Sequence, residues 1–208
     1  MNFLIFSKKI GLPRGASAKW GFTLIELIVV MTISTIIMTA LIIQQSKWND
    51  SLAVNTQAYE LALMIRQAQI YSLGVREDTF GAGDKFDVGY GVYIDEDLPG
   101  QYIFFADKNK DLKYDSGEAQ ETKTFTRGVT IYKFCGVGNP QSCSDSGALN
   151  QINISFFRPG SGASIRFLNN GGNTVNGINP PATIYLKSLK GQEASIKLEA
   201  NGQVSVIQ

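Results

Sequence analysis

The sequence predicts an α+β protein, a long N-terminal α-helix packed on a C-terminal antiparallel β-rich globular domain. Three observations predict it. Residues 22–43 read FTLIELIVVMTISTIIMTALII, with one charge and neither Pro nor Gly. The following stretch to Leu73 is also free of Gly and Pro. Beyond residue 80 the pattern changes to short alternating or β-branched runs separated by turn signals. Three segments follow: a basic leader (1–21), a helical arm (22–75) and a β-rich head (76–208).

The leader carries Lys8, Lys9, Arg14 and Lys19 and no Asp or Glu, so the rest of the chain has 15 basic and 18 acidic residues. The overall formal charge of +1 therefore conceals an asymmetry between two ends that face different environments. It gives no reason to expect nucleic acid as a partner. There is no histidine, which excludes Ser-His and Cys-His catalysis and removes the commonest metal ligand. A nucleotide-binding loop of the form G-x-x-x-x-G-K-[ST] is absent.

As a helix, residues 22–43 would reach about 33 Å, enough to cross a hydrocarbon core of ~30 Å. The β-branched residues lower helicity in water. In lipid the backbone must satisfy its own hydrogen bonds, and a single segment does so only as a helix. The basic leader stays in the cytoplasm, which places the head outside. Past the membrane the helix should run to a C-cap at Gly74. Val54, Ala58, Leu61, Ile65, Ala68 and Ser72 mark one face, expected to lie on the head's own sheet.

Candidate strands are 88–94, 101–106, 123–133, 152–157, 163–168, 183–189, 194–199 and 203–207. Breaks are expected at Pro159-Gly160, Asn169 to Gly172, Pro180-Pro181, Gly191 and Asn201-Gly202. The last reads as a two-residue type I′ hairpin turn, because Asn and Gly tolerate positive φ. Tight hairpins imply one largely antiparallel sheet, with the outer half of the arm over one face.

The informative string is Lys19-Trp20-Gly21-Phe22-Thr23-Leu24-Ile25-Glu26. A plain anchor has no physical need for Glu26, since a carboxylate at the bilayer centre costs roughly 2.5–3.5 kcal/mol on insertion scales. A secretory signal peptide is the competing reading, but its apolar core would not normally hold Glu, and no A-x-A site follows. GFTLIE resembles the N-terminal processing motif of the type IV prepilin family. The resemblance implies a pilin-like fold, cleavage between Gly21 and Phe22 by a prepilin peptidase, and N-methylation of Phe22. Glu26 would then be the fifth residue of the mature chain. Its carboxylate can pair with the cationic amine of a neighbouring subunit's first residue in low dielectric.

By the same resemblance the partners are the peptidase, other pilin or pseudopilin subunits, the cytoplasmic membrane and, indirectly, an assembly ATPase and platform protein. The runs FADKNKDLKYDSGE, FFRPGSGAS and ANGQVSV are similar to features of minor pilins and of type II secretion pseudopilins of the H type. The chain lacks the Gly or Pro that bends some pilin helices, and its cysteines do not enclose the C-terminus. The expected protein is thus a minor pilin or pseudopilin in a type IV pilus or secretion filament, not an enzyme. The alternatives are a tip-located minor pilin that captures DNA or a surface ligand, and an exported enzyme on a signal anchor.

Two further constellations stand in the head. Asp107, Asn109, Asp111, Asp115 and Glu118 occupy positions 1, 3, 5, 9 and 12 of a candidate calcium loop, with the Lys113 carbonyl at position 7. Leu112 stands where such a loop favours Gly, and the competing reading is a solvated Asx-rich loop. Cys135 and Cys143 flank GVGNPQS, and outside the cytoplasm a disulfide is the default, with two unlinked thiols as the alternative. The aromatics Tyr90, Tyr93, Tyr102, Phe104, Phe105, Phe125, Tyr132, Phe134, Phe156 and Phe157 read as sheet core rather than as a stacking platform. Asp95, Glu96 and Asp97 read as a solvated turn.

Overall fold

The computed structural model describes residues 21–74, 88–138, 142–160 and 162–207. The leader up to residue 20 and the first part of the head lie outside the described residues. The chain divides into two compact units, residues 1–43 and 44–208.

One helix, α1 (Leu24–Leu73), begins in the first unit and ends in the second. It ends where Gly74 donates its N–H to the Ile70 carbonyl. The expected face is the buried one: Val54, Ala58, Leu61, Ile65, Ala68 and Ser72 are all enclosed, because a 4,3,4,3,4 spacing keeps them on a single stripe. Polar ties fix the register of this half against the head. The Ser72 hydroxyl accepts from Tyr90 N–H at 3.0 Å, and the buried Gln57 carbonyl oxygen accepts from Thr126 N–H at 3.0 Å. Arg66 donates to the Val204 carbonyl at 3.1 Å.

The head holds two antiparallel sheets of five strands rather than the one expected. The first comprises β1 (Gly89–Asp95), β2 (Gln101–Asp107), β3 (Ala119–Thr124), β6 (Gln151–Phe156) and β7 (Ala163–Leu168), in the order β3-β2-β1-β6-β7. The second comprises β4 (Thr130–Val137), β5 (Ser142–Cys143), β8 (Asn179–Lys187), β9 (Glu193–Leu198) and β10 (Val204–Ile207), in the order β10-β9-β8-β4-β5. The predicted single strand 123–133 is where the reading fails. Arg127 and Gly128 both take left-handed φ, 56° and 69°, so the chain turns between β3 and β4 and passes from one sheet to the other. One core cluster joins the buried stripe of α1 to residues of both sheets, including Ile94, Ile154, Phe167, Ile184 and Ile196.

Other departures are local. Pro180 and Pro181 lie inside β8 instead of breaking it. They fall where the β4–β8 register shifts between Cys135 and Val137 and before β9 pairing begins at Ala182, so neither is asked for a ladder hydrogen bond. Asn201-Gly202 does not form a two-residue turn: Glu199 N–H reaches the Gln203 carbonyl, Gly202 N–H reaches the Glu199 carbonyl, and only Gly202 is left-handed. This three-residue loop, a tight turn closed by a left-handed glycine, recurs with Gly172 after β7 and Gly191 between β8 and β9. β5 went unpredicted, since two residues carry no periodicity.

Candidate functional site

Gly21 and Phe22 precede the helix, and Thr23 is its N-cap. The Thr23 hydroxyl accepts from Glu26 N–H at 3.3 Å, and the Thr23 carbonyl accepts from Leu27 N–H at 3.2 Å. Glu26 is therefore the third residue of α1, in the T-x-x-E spacing of a capping box. In that place the helix dipole favours a negative group, which lowers the cost of an acid beside lipid. This reason for the Thr23 to Glu26 spacing could have been read from the sequence and was missed.

Every described side chain from Phe22 to Ile43 is exposed, and an 18-residue window of α1 has mean hydropathy 2.3 with none of it buried. By length and composition the run is able to cross a membrane. Three of its threonines are satisfied within the helix: Thr32 donates to the Ile28 carbonyl at 2.6 Å, Thr35 to Met31 at 2.8 Å and Thr39 to Thr35 at 2.8 Å. These three hydroxyls are thus turned back onto the backbone, as an apolar surrounding demands. An apolar surface covering all sides of a helix does not pack on one sheet; it requires lipid or other helices around it.

The loop between β2 and β3 closes on itself. Asp107, fully buried, accepts from the N–H groups of Leu112 at 2.7 Å and Asp111 at 3.2 Å. Glu118 accepts from Lys108 N–H at 2.8 Å and Asp115 N–H at 3.0 Å. The Asn109 carboxamide reaches Asp115 at 2.8 Å, and Asp111 accepts from Lys113 N–H at 2.9 Å. Leu112 does take the left-handed conformation, φ 65°, at the position where a calcium loop favours Gly. Among the described residues no group of three or more His, Cys, Asp or Glu side chains is disposed to hold a metal ion. Burial pushes the Asp107 carboxyl up to about 6, opposed by the Leu112 N–H and reinforced by Glu118 and Asp111.

Cys135 and Cys143 are cross-strand partners on β4 and β5 and are joined as a disulfide. Asp95 is a structural node: it accepts from the Tyr93 hydroxyl at 2.6 Å and from Asn150 and Gln151 side chains at 3.3 Å each. Burial and Asp95 together push the Tyr93 hydroxyl well above its ordinary range. Most of the named aromatics are core, with Phe105, Phe134 and Phe156 fully enclosed.

Tyr132, half-buried like Phe157, stands outside the core cluster. It lies 6.0 Å from Tyr185, the Lys133 amine stands 5.4 and 4.9 Å from the two ring centres, and Lys187 stands 5.3 Å from Tyr132. Sequence spacing could not find this patch, because the β4–β8 register assembles it. Lys187 is paired with Glu193 at 3.2 Å and Lys133 with Asp145 at 3.8 Å, so its charges balance.

Residues 21–42 match the family model described as the prokaryotic N-terminal methylation motif. No curated protein and no solved structure matches the chain. Over that segment the chain is similar to the N-terminus of type IV prepilins, and the match covers no part of the head.

Proposed function

We propose that this prepilin-like chain is a structural filament subunit, a minor pilin or type II secretion pseudopilin, and not an enzyme. A prepilin peptidase cuts between Gly21 and Phe22, Phe22 is N-methylated, and the apolar helix leaves the membrane to pack among those of other subunits. The head lies outside the cytoplasm throughout. The observation that carries this reading is an overlap: the matched motif, 21–42, falls wholly within the stretch whose described side chains are all exposed, which runs on to Asn49. A helical stretch with nothing among the described residues to bury against, opened by a scissile glycine and an acid at its third residue, suits insertion into a bundle of its own kind.

Glu26 supplies the specificity. In low dielectric, a carboxylate with no cationic partner among the described residues gains most from a cationic amine, and the new N-terminus at Phe22 is such a group. Adding a subunit would satisfy both at once. The balanced charges around Tyr132 and Tyr185 lend no weight to nucleic-acid capture.

The test is intact mass and N-terminal sequencing of the chain made with and without its peptidase. The expected mature protein begins at N-methylated Phe22, and Gly21→Glu leaves the leader attached. A first residue of Met1 in the presence of peptidase, or one beyond Glu26, would overturn the reading.

A further inference from the structure

We propose that the end of the head carrying residues 44–53 is a phospholipid-docking edge, in which Trp48 and Leu189 enter the interface while Lys47, Arg127 and Lys190 meet anionic headgroups. The proposal rests on the membrane-anchored reading above. Three pieces build the edge. Along α1, Lys47 and Trp48 follow Ile43 within about 8 Å of helix axis, at the depth where Trp and Lys collect at membrane interfaces. The β8–β9 turn is tied to this stretch, because Ser188 donates its hydroxyl to the Asp50 carboxylate. Gln192, at the end of that turn, shares a cavity of about 460 Å³ with Lys47, Trp48 and Leu52. The loop between β3 and β4 completes the edge: Arg127 and Lys190 line a second cavity of about 420 Å³ with Asn49, Asp50 and Ala53.

The side chains displayed there are those of an interface. Trp48 is 73% exposed, and Leu189, at 82%, is as exposed as Phe22 at the head of the apolar run. The loop geometry does not call for an apolar residue at 189, since the left-handed position is filled by Gly191. Leu189 is nonetheless held in place: a Cβ on Gly128 would lie 2.5 Å from its Cδ1, so the two turns interlock. Around these apolar groups stand Lys47, Arg127 and Lys190 against Asp50, while Lys187 and Glu193 offset each other at 3.2 Å. The edge is therefore net positive with exposed Trp and Leu, which suits an anionic bilayer better than a protein core. The tether decides among occupants, since it holds this edge within a few residues of the bilayer at high effective concentration.

The full chain carrying Leu189→Cys labelled with an environment-sensitive fluorophore is reconstituted into phosphatidylcholine vesicles with or without phosphatidylglycerol. Flotation with the vesicles is scored first. A chain that does not float overturns the anchor and the docking edge together; a chain that floats leaves the docking edge to the probe. The expected result is a blue-shifted, quencher-protected probe in phosphatidylglycerol vesicles, with the same probe at Glu121→Cys remaining in water. Removing a cation, as Arg127→Gln or Lys190→Gln, should lower the docked population roughly fivefold each, the value of one basic residue near an anionic surface. An unchanged thermal melt shows that these variants fold. A probe that stays in water while the chain floats overturns the proposal. So does a shift that follows protein density and ignores lipid charge, which would assign the edge to a second copy.

Discussion

Between Leu24 and Ile43 every side chain of α1 is exposed, whereas between residues 53 and 72 a continuous stripe from Ala53 to Ser72 is enclosed by the head. The backbone is one helix throughout. The inner half is apolar on all sides, and no single partner surface can cover it. The outer half is apolar on one side only, and its own domain covers that side. Helical structure is common to both, so the difference lies in what each half requires as surroundings: one is built to associate, the other to fold.

The comparison breaks if a charge placed in the two halves has the same effect. Ile65→Asp, in the buried stripe, should destabilise the head by on the order of 5 kcal/mol, enough to prevent folding in a domain of ordinary stability. Ile37→Asp should leave the melting of the head unchanged and abolish membrane insertion or filament incorporation instead. Thermal melts and flotation of both variants check the pair.

Next in size is the disulfide, which acts on the head alone. Replacing Cys135 and Cys143 by Ser opens a loop with a sequence separation of 8, and chain entropy puts the loss at about 2.5 kcal/mol. Denaturant midpoints of the oxidised wild type and the double variant measure it, and flotation should not change.

A similar effect, of the order of 2 kcal/mol, comes from Asp107. Its folded-state value is raised to about 6, so the folded head holds this proton more tightly than the unfolded chain does. The contribution is fully present at about pH 4 and is lost as pH rises through 6, so in calcium-free buffer stability should fall across that interval. Asp107→Asn should flatten the slope. Millimolar calcium is the second lever: an ion bound at the loop would keep Asp107 ionised and erase the slope, while a slope indifferent to calcium assigns the loop to its backbone bonds alone.

The smallest effect on stability belongs to Glu26→Gln, which should shift the head's melt by less than about 0.5 kcal/mol, as a surface change does. Incorporation into filaments should nonetheless fail, because Gln offers no charge to the amine of a neighbouring Phe22. Pull-down of tagged wild-type subunits with the variant measures this, and normal incorporation would remove Glu26 from the assembly step.

How far the sequence could be read follows the same division. α1 was legible because its information is periodic and local: the 4,3,4 spacing from Val54 to Ser72 and the uninterrupted apolar run each fit inside one element. Most of the strands were legible as strands for the same reason. What escaped depended on pairing between distant segments. The passage from the first sheet to the second at Arg127-Gly128 looks like the middle of one long strand, since Thr, Phe and Val surround it. The prolines of β8 look like a break until the register of β4 shows a shift beside them. The Tyr132 and Tyr185 patch exists only because two strands far apart in the chain are neighbours. At the N-terminus the motif was plain, but the cap from Thr23 to Glu26, a reason for the acid's place that needs no partner subunit, was overlooked.

The threonines of the inner half carry a last consequence. Thr32, Thr35 and Thr39 return their protons to carbonyls of the preceding turn, so the rod brings its own polar insulation wherever it goes. In the proposed assembly, transfer from hydrocarbon to a sheath of sister rods then exchanges mainly dispersion contacts of similar strength on either side. Such a rod can be withdrawn and redeposited repeatedly, and the direction of travel is left to whatever engine pushes it and to the one acid at its tip.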